Sequence, residues 1–180
     1  MKKGIVVCFP GTGYTCRERL FALCVAVYEA RGYDVIRLDY SHIPFQEIES
    51  LEEAVGIALR ASKRQLENVD FAGYEDVVWI SKSLGTICAA VAENELGVSP
   101  RHLFLTPVEA TLGRIKPGAR VTAMVLGTTD RFLAGEKLAE FCAERGYRYC
   151  IINGVGHNLK DESDPARTEH INEQIVALCD

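Results

Sequence analysis

The amino-acid sequence contains no long hydrophobic run, no block of basic residues and no closely paired cysteines. The apolar run from Ile5 to Phe9 is too short for the hydrophobic core of a signal peptide, and Pro10 ends it. No stretch approaches the roughly 18 consecutive apolar residues of a transmembrane helix. We therefore expect no membrane association and predict a cytoplasmic location.

Acidic and basic residues are interspersed along the chain, and the net charge is -5. A surface that binds nucleic acid needs clustered Lys and Arg, so we do not expect nucleic acid as a partner. The chain has 180 residues, of which 48% are hydrophobic and 25% charged. These values are typical of a globular protein, and the length predicts one domain over residues 1–180.

Seven cysteines are scattered over the sequence, and no two of them form a C-x-x-C pattern. Such pairs are typical of zinc sites and dithiol redox sites, so we expect neither. Scattered cysteines in an odd number are more typical of small buried hydrophobic residues in a reducing compartment.

Short β-branched runs alternate with longer segments in which apolar residues recur at helical spacing. This alternation predicts an α/β/α sandwich, with a mostly parallel sheet of about six strands and helices on both of its faces. We predict strands near residues 4–9, 34–39, 76–81, 101–106, 121–127 and 147–152. We predict helices near residues 16–31, 48–67, 84–96, 131–145 and 164–179.

The connection between the fourth and fifth strands, from Pro107 to Arg120, is too rich in proline and glycine for a full helix. It predicts a loop or a single helical turn. In an open parallel sheet, ligands bind beyond the carboxyl ends of the strands. The segments that directly follow each strand are therefore the candidates for chemistry.

Ser83 stands where the third predicted strand runs directly into a helix, with Ser81 and Gly85 two residues before and after it. A nucleophile on such a tight turn needs small neighbours, because the backbones approach closely there. The turn also aims the Leu84 amide and the start of the helix at a developing oxyanion. The alternative is a polar turn whose serines only cap the helix. Lys82 is interpreted as a solvated turn residue, since the segment lacks the spaced glycines of a nucleotide-binding loop.

Asp130 follows the fifth predicted strand and His157 follows the sixth, so the chain order is Ser, Asp, His. This is the order of one known type of catalytic triad. In a triad the histidine takes the serine proton through one ring nitrogen, while the aspartate holds the other. Two alternatives stay open, namely Asp130 as the N-cap of a helix starting near Phe132 and His157 as an ordinary loop histidine.

With this motif and this order, the sequence resembles the α/β-hydrolase superfamily, especially its small lidless members that are similar to esterases and dienelactone hydrolases. The resemblance spans nearly the whole chain. It implies a serine hydrolase in which Ser83, Asp130 and His157 cleave a small ester, thioester or related carbonyl substrate through an acyl-enzyme. It implies no metal and no organic cofactor.

The resemblance also implies that the loop after the first strand supplies a backbone amide to an oxyanion hole. That amide is expected from Thr12, or alternatively Gly13, and its partner from Leu84. Two departures from the family pattern occur: Pro10-Gly11 replaces the usual His-Gly, and Ser81 replaces the commoner glycine before the nucleophile. Neither departure removes a catalytic group.

Larger members of that superfamily carry a lid after the strand that ends here near residue 106, and this chain has only a short connection there. The resemblance therefore implies an open site for a small substrate. Gly13, Tyr14, His42, Pro107 and Glu109 are the candidate lining residues. His42 is alternatively a solvated loop residue, and Glu109 either selects a cationic or polar group or is an ordinary loop acid.

Two other functions compete with the hydrolase. The Gly11–Thr15 segment resembles the phosphate loop of flavodoxin-like proteins, which holds FMN at a helix N-terminus, and would make the protein an electron-transfer or binding module. A hydrolase-like domain without catalytic activity is the second alternative, since a fold does not guarantee a function.

Overall fold

The computed structural model describes residues 1–179, which contain a sheet of six parallel strands between two layers of helices. The strands are β1 Ile5–Phe9, β2 Asp34–Arg37, β3 Val77–Lys82, β4 Arg101–Leu105, β5 Arg120–Gly127 and β6 Tyr149–Ile152. The helices are α1 Arg19–Glu29, α2 Leu51–Leu66, α3 Leu84–Leu96, α4 Glu109–Leu112, α5 Gly135–Arg145 and α6 Pro165–Val176. The predicted α/β/α architecture is confirmed, and α4 is the single turn expected between the fourth and fifth strands.

The strands pair in the order β2-β1-β3-β4-β5-β6, all in parallel. Their side chains alternate between the two faces, because successive residues of a strand point in opposite directions. On one face, Val7 and Trp79 pack with α2, α3 and α5. On the other, Val6 and Ile80 pack with α1 and α6. Both faces are covered, so the central strand β3 is buried along its whole length.

Local signals account for several helix ends. The Ser50 hydroxyl accepts the Glu53 N–H at 3.1 Å at the start of α2, and the Asp164 carboxylate accepts the Arg167 N–H at 3.0 Å at the start of α6. Gly146 ends α5 in the left-handed conformation, with φ of 69°. These ends agree with the predicted ones within three residues.

Several helices begin later than predicted, as α1 and α5 show. Helix α1 begins at Arg19 instead of near residue 16, and α5 begins at Gly135 instead of near residue 131. In the second case the chain after β5 first forms a loop that carries Asp130, and the N-cap of α5 is Ala134. The interpretation of Asp130 as a helix cap is therefore wrong, and its carboxylate is available for another partner.

No helix within residues 1–179 combines the length and the hydrophobicity needed to cross a membrane. All seven cysteines are free thiols, and Cys150 alone among them is partly exposed. The prediction that most of them are small buried residues is confirmed.

Candidate active site

Ser83 occupies a strained turn between β3 and α3, with φ of 54° and ψ of -124°. A positive φ is unfavourable for any residue with a Cβ and persists only where the surroundings hold it. The Ser83 N–H donates to the Leu105 carbonyl at 3.1 Å, which ties the turn to β4. The Ser83 hydroxyl makes no capping bond to α3, so the alternative of a serine that caps the helix through its side chain is wrong.

The turn packs tightly against the end of β1. A Cβ at Gly85 would lie 2.4 Å from the carbonyl oxygens of both Phe9 and Pro10, and a Cβ at Gly11 would lie 3.1 Å from the Ser83 Cβ. Only glycine allows the approach at position 85, where the sequence predicts a small residue, and a side chain at position 11 would be tight against Ser83. The loop after β1 is thereby held directly beside the Ser83 side chain.

Ser83, His157 and Asp130 form a chain of two hydrogen bonds. The Ser83 Oγ lies 2.8 Å from His157 Nε2, and His157 Nδ1 lies 2.7 Å from Asp130 Oδ2. With the ring proton on Nδ1, the imidazole donates to the carboxylate and accepts from the hydroxyl. The Asp130 side chain is fully buried, whereas that of His157 is 24% exposed. The histidine therefore faces both the serine and the solvent.

The loops after β5 and β6 are locked together, and this contact sets the distance between Asp130 and His157. The Thr129 N–H donates to the Val155 carbonyl at 3.0 Å, and the Thr128 hydroxyl accepts the Gly154 N–H at 2.8 Å. A Cβ at Gly127 would lie 2.1 Å from the Val155 carbonyl oxygen, so only glycine fits at the end of β5. Packing between distant segments thus brings Asp130 and His157, which are 27 positions apart in the sequence, within hydrogen-bond distance.

Asp130 and His157 also contact Phe132. The Phe132 N–H donates to Asp130 Oδ1 at 2.9 Å, and the Phe132 ring meets the imidazole edge-on with ring centroids 4.5 Å apart. The second carboxylate oxygen is therefore satisfied by the backbone, and one side of the imidazole is covered by an aromatic ring. Phe132 was not among the predicted site residues, because residues 131–145 were expected to form a helix, whereas the helix begins only at Gly135.

An open cavity of about 530 Å³ lies at the Ser83 hydroxyl. Of the predicted lining residues, Gly13 and Tyr14 line it together with Thr12. Arg131 and Asn158 line it as well, and neither was predicted. A neighbouring depression of about 400 Å³ shares Gly11 and Thr12 with this cavity.

Three predicted lining residues lie elsewhere, and their assignment is corrected. His42 is exposed and lines a separate depression beside α2. Pro107 is buried, and Glu109 is exposed and pairs with Lys137 at 2.5 Å. Glu109 begins the single-turn helix α4, and its side chain lies away from the cavity. The Glu109 backbone N–H donates to the Phe132 carbonyl at 3.1 Å.

Lys82 is not a solvated turn residue, and that interpretation is wrong. The residue is 1% exposed, its ammonium donates to the Thr106 hydroxyl at 2.6 Å and to the His157 carbonyl at 2.5 Å, and it lines the cavity. Burial lowers its pKa from 10.5 to about 7, while the Asp130 charge opposes this shift. A residue at the end of a central parallel strand is covered on both faces of the sheet. The position of Lys82 at the end of β3 was therefore the sequence signal for its burial.

The other two histidines lie away from Ser83. His102 is fully buried near the start of β4, where its Nε2 lies 3.1 Å from Glu93 Oε2, and His170 is exposed on α6. Within residues 1–179 no group of three or more His, Cys, Asp or Glu side chains is arranged to hold a metal ion.

No protein-family model matches this chain, and no curated protein sequence matches it. Several solved structures match it in fold. A protein assigned to the α/β-hydrolase superfamily from Xanthomonas campestris is 17% identical, with a TM-score of 0.63, and the match covers 99% of this chain and 98% of that one. An alpha-beta serine hydrolase homologue from Coxiella burnetii is 15% identical, with a TM-score of 0.65, and the match covers 97% and 84%.

Est1E from Butyrivibrio proteoclasticus, in a structure with bound ferulic acid, is 15% identical, with a TM-score of 0.65, and the match covers 98% of this chain and 88% of that one. The similarity spans almost the whole of this chain in all three cases. The chain therefore has the α/β-hydrolase fold, as the resemblance in its sequence predicted.

Proposed function

We propose that this chain is a serine hydrolase that cleaves a small ester, thioester or related carbonyl substrate. The observation that carries the proposal is the chain of two short hydrogen bonds from the Ser83 hydroxyl through the His157 imidazole to the buried Asp130 carboxylate. The strained backbone of Ser83 and the open cavity at its hydroxyl support the same assignment.

In the first half of the reaction, Ser83 Oγ bonds to the carbonyl carbon of the substrate and its proton passes to His157 Nε2. The carbonyl electron pair moves onto oxygen and forms a tetrahedral oxyanion. When this intermediate collapses, the bond to the leaving alcohol or thiol breaks, and His157 returns the proton to that group. The buried Asp130 carboxylate stabilises the imidazolium that forms in between.

In the second half, water attacks the acyl carbon and gives a proton to His157. Collapse of the second intermediate breaks the bond to Ser83 Oγ, which recovers its proton as the carboxylic acid leaves. The Leu84 N–H is the first of α3 and has no intrahelical acceptor, so it is available to bind the oxyanion. Thr12 lines the cavity together with Ser83, and the Thr12 N–H is the proposed second donor.

The cavity suits a substrate with an accessible carbonyl group. It is open to solvent and flanked by the rings of Tyr14 and Phe132, which offer apolar contact to an acyl or alcohol group. An open site excludes water poorly, so a reactive or exposed ester fits it better than a long lipid.

A fluorophosphonate probe and p-nitrophenyl acetate test the proposal. We expect the wild-type protein to be labelled at Ser83 and to release p-nitrophenol, and Ser83→Ala and His157→Ala to do neither while remaining folded. Ser99→Ala, which changes an exposed serine elsewhere, is the matched control and should behave as the wild type. Labelling that persists in Ser83→Ala would overturn the mechanism.

The flavodoxin-like alternative shares the order of the first five strands, β2-β1-β3-β4-β5, with this chain. Its loop is less suitable for a phosphate here, because the Gly11 N–H donates to the Tyr14 carbonyl at 2.9 Å and α1 begins only at Arg19. A flavin absorption band in the purified protein would favour that alternative. A colourless protein that no serine probe labels would favour a non-catalytic domain.

Small-molecule substrates are the proposed partners, and nucleic acid is not among them. The cytoplasmic location stays a prediction from the sequence, and cell fractionation tests it.

A further inference from the structure

Lys82 immediately precedes the proposed nucleophile and is the most unusual charged residue of the site. Its side chain is almost completely buried, although lysine is among the residues least often found in a protein interior. A buried ammonium is costly unless it is well hydrogen-bonded. Its partners therefore indicate what the residue does.

The ammonium of Lys82 makes two hydrogen bonds and lies near an aromatic ring. It donates to the Thr106 hydroxyl at 2.6 Å and to the His157 carbonyl at 2.5 Å, and it lies 4.7 Å from the centre of the Tyr14 ring. An ammonium has three donors and no acceptor, so two of its donors are occupied by protein oxygens, and the aromatic ring attracts its charge. Lys82 is therefore suited to hold neighbouring groups in place.

The charged groups around Lys82 are few. Asp130 favours the ammonium form, and Lys160, which lies 5.8 Å from the centre of the same Tyr14 ring, opposes it. Lys160 is itself 3.3 Å from Glu18, which partly balances its charge. Lys160 thus shares the aromatic ring with Lys82, but its ammonium pairs with Glu18 and not with the His157 carbonyl.

The contact with the His157 carbonyl joins two parts of the site that come from opposite regions of the sheet. Ser83 follows the central strand β3, whereas His157 lies on a loop beyond the edge strand β6. The backbone is strained near both partners of Lys82, since Thr106 has φ of 42° and Leu159, two residues after His157, has φ of 58°. Such strain persists only where the surrounding contacts hold it.

We propose that Lys82 is a positioning residue that ties the backbone of His157 to the strand carrying Ser83, so that the imidazole stays within hydrogen-bond reach of the serine. This proposal rests on the proposed hydrolase function. The tie is short, because a single peptide bond separates Lys82 from the nucleophile. It fixes the base relative to the nucleophile independently of the contacts between the loops after β5 and β6.

The test compares Lys82→Met with Lys160→Met in the full chain, using the fluorophosphonate probe. Both variants remove one positive charge beside Tyr14, but only the first removes the bond to the His157 carbonyl. For Lys82→Met we expect the maximal labelling rate, kinact, to fall by about 10- to 100-fold, the size of effect that a misplaced catalytic group produces. The probe's binding constant KI should stay unchanged, and Lys160→Met should match the wild type. A wild-type kinact in Lys82→Met, or an equal loss in Lys160→Met, overturns the proposal.

A second measurement separates this inference from the proposed function. The ¹³C carbonyl resonance of His157 should shift in Lys82→Met and not in Lys160→Met, whether or not the protein is labelled. If the wild type is not labelled but Lys82→Met shifts the His157 resonance, the hydrolase function is wrong and the positioning contact between Lys82 and His157 is supported. If the resonance does not move, the tie is wrong. Should Lys82→Met fail to fold, the wild type decides: a slowly exchanging Lys82 ammonium coupled to the His157 carbonyl supports the tie, and a rapidly exchanging one refutes it.

Discussion

Gly127→Ala tests whether the packing between two loops sets the position of His157. Gly127 ends β5, and a Cβ there would lie 2.1 Å from the Val155 carbonyl oxygen and 2.8 Å from that of Gly156. Ordinary contacts begin near 3.4 Å, so the loop after β6 would have to move by about 1.3 Å. The Ser83 and Asp130 contacts of His157 span 2.8 and 2.7 Å and cannot both survive such a shift.

We expect Gly127→Ala to lower the fluorophosphonate labelling rate by about 100-fold, the loss that a displacement of roughly 1 Å causes. Overpacking of this kind also costs about 1–3 kcal/mol of stability. Each kcal/mol lowers Tm by roughly 2–4 °C in a domain of this size, so thermal unfolding should show a decrease of several degrees.

Gly113→Ala is the matched control. Gly113 follows α4 with φ of -71°, and a Cβ there would meet no atom within 4 Å. This variant should keep the labelling rate and the Tm of the wild type. If Gly127→Ala also keeps both, the loop contact does not position His157 and the structural reasoning is refuted.

Phe132→Ala removes the ring whose centroid lies 4.5 Å from that of the His157 ring. Because such ring pairs contribute roughly 0.5–1.5 kcal/mol, we expect fluorophosphonate labelling to slow by about 2- to 10-fold. An unchanged labelling rate would show that the ring is dispensable. Glu93→Ala leaves the fully buried His102 without its carboxylate partner at 3.1 Å, so urea unfolding should show a loss of about 2–4 kcal/mol, and an unchanged midpoint would contradict this. Because burial lowers the pKa of Lys82 from 10.5 to about 7, the unfolded chain binds more protons between these pH values, and the contribution of Lys82 to stability rises with pH across that window. Between about pH 7 and pH 9, urea unfolding of the wild type should gain on the order of 2 kcal/mol relative to Lys82→Met, and a difference that does not vary with pH would contradict the lowered pKa.

The order of elements and the candidates for the triad followed from the sequence alone. Strand and helix periods are local properties, and so are the caps at Ser50 and Gly146. Parallel strands end at one edge of a sheet, so residues that directly follow strands were expected near each other. Ser83, Asp130 and His157 satisfied that rule, and the structure brings them within hydrogen-bond distance.

The tertiary structure decided what depends on contacts between distant segments. Lys82 is a charged residue, yet the surrounding strands and loops bury it almost completely. No local sequence pattern predicts how closely other segments pack around a side chain. His42 and Glu109 follow strands as the triad residues do, but His42 lies beside α2 and Glu109 at the start of α4, both away from the cavity. A position after a strand is thus a property of the sequence. The direction and burial of the side chain there are set by the packing of the whole chain.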